Sequence, residues 1–205
     1  QNKLTVIVSI LPIDTGRYGT KEMLDIFREQ KKIDYQLDIE AAAALSQGEI
    51  GLIPASIAKD ISKIAKSGKI TAKRIKQLEA KSDHDTAALV EALAEKCNKE
   101  SRPWIHYGLT SNDLVDTSNS MQMRDAIKII QPKVSKLSLI LAKNAVKHKS
   151  VPAVGRTHGQ HASIISFGLK FANWAAEMST HLERLDEIKK RVLICKTLGV
   201  VGTGS

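Results

Sequence analysis

From Met123 onward, apolar side chains recur at Met123, Ile127, Ile130, Val134, Leu137, Leu141 and Ala145, in steps of 4, 3, 4, 3, 4 and 4. This is the period of an amphipathic helix. The stripe stays in phase through Pro132, so it predicts one continuous, kinked helix even though a proline inside a helix costs about 3 kcal/mol or more. A second stripe runs through Phe167, Phe171, Trp174, Met178, Leu182, Leu185, Ile188 and Val192. Steps averaging about 3.5 keep a seam turned toward neighbouring helices at small crossing angles, the packing of a helical bundle. Two such helices cover each other on one side only. Their remaining apolar surface calls for other subunits or further sequence.

Ahead of these long helices the pattern is shorter. Residues 1–19 read as extended or irregular, with Pro12, Gly16 and Gly19 as turn signals. Thr20 caps a helix predicted to run to about Ser46, which Gly48 and Gly51 end; Pro54 opens another that stops at Gly68. Thr71 and Asp83 are expected to cap two more, the second ending before the break at Ser101, Arg102 and Pro103. The expected fold is all-α, with a small helical N-terminal domain over 1–111 and the first part of a long-helix bundle over 112–205.

Composition narrows the class. With 205 residues, 42% hydrophobic and 26% charged, the chain has ordinary globular usage, which excludes wholesale disorder. No stretch reaches the roughly 18 consecutive apolar residues of a membrane span, and the first residues lack the pattern of a secretory signal, so a soluble cytoplasmic protein is expected. Cys97 and Cys195 lie far apart without a CxxC pair, which suggests neither disulfide nor zinc site and predicts two buried small hydrophobes. The net charge of +9 raises nucleic-acid binding. Lysines recur singly along helices, however, and 4% aromatics leave little to stack bases on, so a solvated face is the expected meaning and no nucleic-acid partner is predicted. The same charge can steer an anionic small molecule.

The segments that interrupt the helices carry the chemistry. In HYGLTSNDLVDT, His106 to Thr117, Gly108 precedes Thr110, Ser111, Asn112 and Asp113 at the start of the long helix. Two hydroxyls beside unsatisfied amides serve either a plain N-cap or a carboxylate or phosphate site. GRTHGQHA, Gly155 to Ala162, gathers Arg156, Thr157, His158, Gln160 and His161 around two glycines. Histidine suits proton transfer near neutrality, and glycine lets backbone approach a ligand. Metal binding by His158 and His161 is the rival, without the HExxH glutamate or a nearby thiolate to complete a ligand set. TGRYG places Arg17 and Tyr18 between glycines, suited to an anion contact or a simple turn. In SDHDTAA, His84 stands between Asp83 and Asp85 at a helix start, either as an incidental part of a cap or as a ligand group.

Taken together, GRYG, the His84–Asp85 pair, HYGLTSNDLVDT, GRTHGQHA followed by FGLKFANWAAEM, and the closing GVVGTG resemble the adenylosuccinate lyase family of the fumarase and aspartase superfamily, over residues 12–204. The resemblance implies anti elimination of fumarate from succinyl-AMP and a related succinylated purine-precursor ribotide. It implies His158 as the general acid, and Thr157, Thr110 and Ser111 as contacts to the succinyl carboxylates. Arg17 and Tyr18 would touch the nucleotide phosphate, and Asp83, His84 and Asp85 a substrate-binding triplet, in which Asp83 departs from the basic residue common at that place. It further implies a cytoplasmic homotetramer without metal or organic cofactor, whose active sites draw on three subunits. The family's general base is a serine in a Ser-Ser-x-Met-Pro-x-Lys loop far downstream, and no such motif occurs in these 205 residues. The chain is therefore expected to be an N-terminal portion, inactive alone. A non-catalytic helical assembly or binding module is the alternative, and a nucleic-acid binder a distant third.

Overall fold

The computed structural model describes residues 18–204. The expectations for the irregular N-terminal stretch up to residue 17, Arg17 included, lie outside the described residues. Backbone packing divides the chain into two compact units, one of residues 1–123 with 194–205 and one of residues 124–193.

The first unit begins with α1 (Lys21–Phe27) and α2 (Glu29–Glu49). Thr20 caps α1 as expected, its hydroxyl accepting from the Met23 amide. The single helix predicted to run to Ser46 is instead two, because Arg28 takes an extended conformation (ψ 143°) between them. The cause is tertiary. The Ile26 carbonyl, which a continuous helix would have paired four residues on, accepts from the buried Gln122 side chain at 2.9 Å. The Gln30 side chain in turn donates to Ile70 O at 3.0 Å and accepts from Ala72 N at 2.8 Å.

Next come α3 (Ala55–Ala65), entered at Pro54, α4 (Ala72–Ser82), capped by Thr71, and α5 (Asp85–Ala94). Asp83 was expected to cap α5; it is the C-cap of α4, in the left-handed region with φ 52°, and His84 caps α5. Asp tolerates that backbone better than most residues. Ile33, Leu37, Ala41 and Ala44 of α2 meet Ala58 and Ile61 of α3, with Leu78, Leu89, Leu93 and Leu114 completing one apolar core. Arg74 and Glu95 form an ion pair that joins α4 to the end of α5. The guanidinium holds the Glu95 carboxyl below the usual carboxylate range. A short 3-10 helix over Lys99–Trp104 leads into α6 (Ser111–Lys147), which runs unbroken through Pro132 as the apolar phase required.

The second unit holds the later turns of α6, a two-stranded antiparallel sheet of β1 (Pro152–Thr157) and β2 (Gln160–Ser166), and α7 (Phe167–Val192). The architecture is helical, with this hairpin as its one sheet among the described residues. Within the unit, Gln131 donates to Asp186 at 2.9 Å, Lys189 bonds both, and the Ser138 hydroxyl donates to Ala175 O. His148, Phe167, Phe171 and Trp174 stack edge and face with centroids 5.2–5.8 Å apart. No described helix is long and apolar enough to cross a membrane.

Candidate functional site

The first candidate centre is built where the chain enters α6. Glu40 sits on the α2 face that the apolar phase buries, and its side chain is 2% exposed. Its Oε2 accepts from the His106 amide at 3.1 Å, while Oε1 lies 2.5 Å from His106 Nδ1. These bonds hold His106 at φ 63°, a conformation rare outside glycine. Gln47 donates to Tyr107 O at 2.7 Å, and Gly108 follows at φ 73°. One buried and one half-buried side chain of α2 thus fix the approach to Thr110.

At the helix start the Asp113 amide donates to Thr110 O at 2.9 Å, and the Asp113 carboxylate accepts from Thr110 N at 3.0 Å. This is the return half of a capping box, with an aspartate in place of the usual glutamate. Thr110 and Ser111 are half-buried at the opening of a 37-residue helix. First-turn amides without intrahelical partners and the helix dipole favour a carboxylate or phosphate there.

Asp113 also accepts from Leu198 N and Gly199 N, each at 3.1 Å. Thr117 accepts from Lys196 N at 2.9 Å, and Lys196 pairs with Asp116. A mostly apolar cavity of about 590 Å³ lies beside this seam, lined by Ala42, Ser46, Gln47, Leu109, Thr117, Met121 and Cys195 among others. Cys195, expected to be buried, is exposed; Cys97 is buried as expected.

The triplet at residues 83–85 is split between two helix ends. His84 Nδ1 accepts from the Ala87 amide at 3.3 Å, and Asp85 accepts from Thr86 N at 2.6 Å, so both serve the first turn of α5. Tyr18 is 72% exposed just ahead of α1.

In the second unit, the GRTHGQHA segment is a hairpin, a pair of strands inside a fold expected to be all-α. Thr157 and Gln160 pair across a two-residue turn of His158 and Gly159, with φ 49° and 73°. Positive φ at both central positions marks a type I′ turn, whose twist matches that of the strands it joins. His158 therefore stands at the apex, with Thr157 at the last paired position. A bulge at Gly155 and Arg156 brings Arg156 opposite His161. Arg156, Thr157, Ser163 and Lys170 line a concavity of about 490 Å³. Its two cations and two hydroxyls suit an anionic ligand. Among the described residues no cluster of three or more His, Cys, Asp and Glu side chains could hold a metal ion.

Reasoning from sequence missed Glu40 and the reach of Asp113. Both left a signal: Glu40 falls in the buried phase of Ile33, Leu37 and Ala44, and Thr110 to Asp113 has capping-box spacing.

A capped long helix, a hairpin turned at a histidine and a second long helix place the chain among helical proteins of the fumarate lyase superfamily. A family model described as Lyase matches residues 16–205, and the chain belongs to that family. The adenylosuccinate lyase of Methanocaldococcus jannaschii is 45% identical over 96% of this chain and 42% of its own length. The N-acetyl-S-(2-succino)cysteine lyase of Enterococcus italicus is 40% identical over 92% of this chain and 41% of its own. Among solved structures, the 3-carboxy-cis,cis-muconate lactonizing enzyme of Pseudomonas putida superposes with a TM-score of 0.86 at 30% identity, over 92% of this chain and 44% of that one. The chain thus spans about two fifths of the length of the curated relatives it matches.

Proposed function

We propose that these residues form the N-terminal portion of an adenylosuccinate lyase, an enzyme that eliminates fumarate from succinyl-AMP and from the related succinylated ribotide of purine synthesis. The observation that carries this reading is the 45% identity to a protein of that activity over 96% of the chain. It runs through both the helix start at Thr110 and the hairpin at His158. A purely structural module is not favoured by such a match.

In the reaction a base removes the proton next to a carboxylate, negative charge gathers on that carboxylate, and an acid protonates the departing nitrogen. His158 is the acid of this scheme. A two-residue turn holds its backbone, so little orientational freedom remains to be lost when the proton moves. Thr110, Ser111 and Thr157 donate to the succinyl carboxylates, and the amides at the start of α6 stabilise the charge that develops there. Arg17 and Tyr18 read the phosphate, and His84 and Asp85, with Asp83, contribute to the substrate pocket. The base is supplied by a serine outside these 205 residues. The working enzyme is a cytoplasmic homo-oligomer, a tetramer in its full-length form, without metal or organic cofactor.

The test is a full-length polypeptide carrying residues 1–205, assayed for fumarate release from adenylosuccinate and from N-acetyl-S-(2-succino)cysteine. Preference for the nucleotide supports the reading. Preference for the thioether keeps the elimination and overturns the substrate, and release from neither overturns both.

A further inference from the structure

The closing GVVGTG segment entered the sequence argument only as a mark of resemblance, and the described bonds give it a place. Asp113 is fully buried, and its two oxygens accept three backbone amides: Thr110 and Gly199 on Oδ2, Leu198 on Oδ1. The Thr117 hydroxyl, one turn on, binds Lys196 N and O, and Asp116 pairs with the Lys196 ammonium. The segment 195–199 is thus docked along one face of the first two turns of α6. Of the three anchors, Asp113 alone also holds Thr110.

We infer that Asp113 is a positioning residue for the elimination: it locks the Thr110–Ser111 helix start to the start of the Gly199–Gly204 segment, so that the hydroxyls facing the substrate carboxylate keep one geometry. This rests on the proposed role of Thr110 and Ser111. A carboxylate suits the position because all three neighbours are donors. Asparagine is not an isostere here, since either orientation of its amide turns an NH₂ group toward at least one backbone N–H. A buried donor facing a donor loses the bond and keeps the desolvation penalty.

The experiment uses the full-length polypeptide and its Asp113→Asn and Thr117→Ala variants. Asp113→Asn should lower kcat/KM about 100-fold, with the larger share in kcat, because misplacement of about 1 Å at a reacting centre has that scale. Its Thr110, Leu198 and Gly199 amides should exchange with solvent faster, while Leu93 in the core stays protected. Thr117→Ala should loosen Lys196 and leave kcat within about 3-fold, since it releases the segment without touching Thr110. Should Asn not fold, Asp113→Glu keeps the acceptors on a longer arm and should show the same split at about 10-fold. Normal kcat in the Asp113 variants, or an equal loss in Thr117→Ala, overturns the inference. If the unsubstituted enzyme eliminates no fumarate, the functional reading fails separately. Amide exchange then decides the clamp: release at Thr110, Leu198 and Gly199 together sustains it, and unchanged protection overturns it.

Discussion

His158 joins an imidazole, the side chain suited to passing a proton, to a left-handed backbone, φ 49°, at the apex of a tight hairpin. Asparagine tolerates that backbone and carries no exchangeable acid, so His158→Asn in a full-length enzyme preserves the turn while removing proton transfer. Turnover is expected to fall by about 100- to 10,000-fold with KM changed far less, as measured by fumarate release. Near-normal turnover would reject the assignment. The two cysteines diverge in the same way that burial diverges. Burial, with Asp60 nearby, pushes the Cys97 thiol up from 9.0 to about 11, whereas Cys195 is exposed. At pH 8 a maleimide should label one thiol per native chain, located by peptide mass spectrometry at Cys195. Folding favours the protonated Cys97, so its contribution to stability is complete below pH 9 and declines as pH rises toward 11. The sequence made Thr20 and Thr71 readable as caps because each depends on neighbours three residues away. Burial of Glu40 and the placement of Cys195 involve segments tens of residues distant, His106 in one case and Thr117 in the other.

Among the elements, α6 was the most legible, since its apolar phase continued on both sides of Pro132 and only an unbroken helix keeps that phase. The break at Arg28 was not, for no glycine or proline marks it and its cause is the bond to Ile26 O from Gln122, 96 positions beyond Ile26. The hairpin hid for another reason. Its strands are short, and polar residues flank the turn, so only the His158–Gly159 pair between β-branched Val154 and Ile164 hinted at pairing. The packing of α2 on α3 makes a further prediction. A Cβ added at Gly48 would stand 2.6 Å from the Ala58 Cβ, closer than real carbon atoms approach. Gly48→Ala should therefore force the two helices apart and destabilise the protein by about 1–3 kcal/mol, despite alanine's better helix propensity. A thermal midpoint that rises would contradict this.

At the level of the whole molecule, the apolar seams outrun the contacts that cover them. Within the second unit, α6 turns polar Gln131 and Ser138 to α7, while Ile130, Leu137, Ile140, Trp174 and Ile188 are 38–49% exposed. Exposed apolar surface of this extent drives association. Light scattering over a concentration series should find the 205-residue chain larger than a monomer, with Trp174→Asp shifting it to smaller species at unchanged helical circular dichroism. A monomer at every concentration would show that the seam has no self-affinity. The division into units was not readable from motifs, because the first unit is discontinuous: residues 124–193 are inserted between its two parts, and only the bonds from Asp113, Asp116 and Thr117 to residues 195–199 reveal the return.

That return sets an order of events during synthesis. Asp113 leaves the ribosome 85 residues before Leu198 and 86 before Gly199, so its carboxylate has two of its three amide partners still unmade. At about 5–20 residues per second the gap lasts roughly 4–17 seconds, during which water must serve in their place. Closing so long a loop carries an entropic cost of about 4 kcal/mol beyond a length-independent constant, which the late bonds and the cavity wall they complete have to offset. The helix start at Thr110 thus keeps its anchoring incomplete until residues 198 and 199 arrive, although it is made before the whole of the inserted unit.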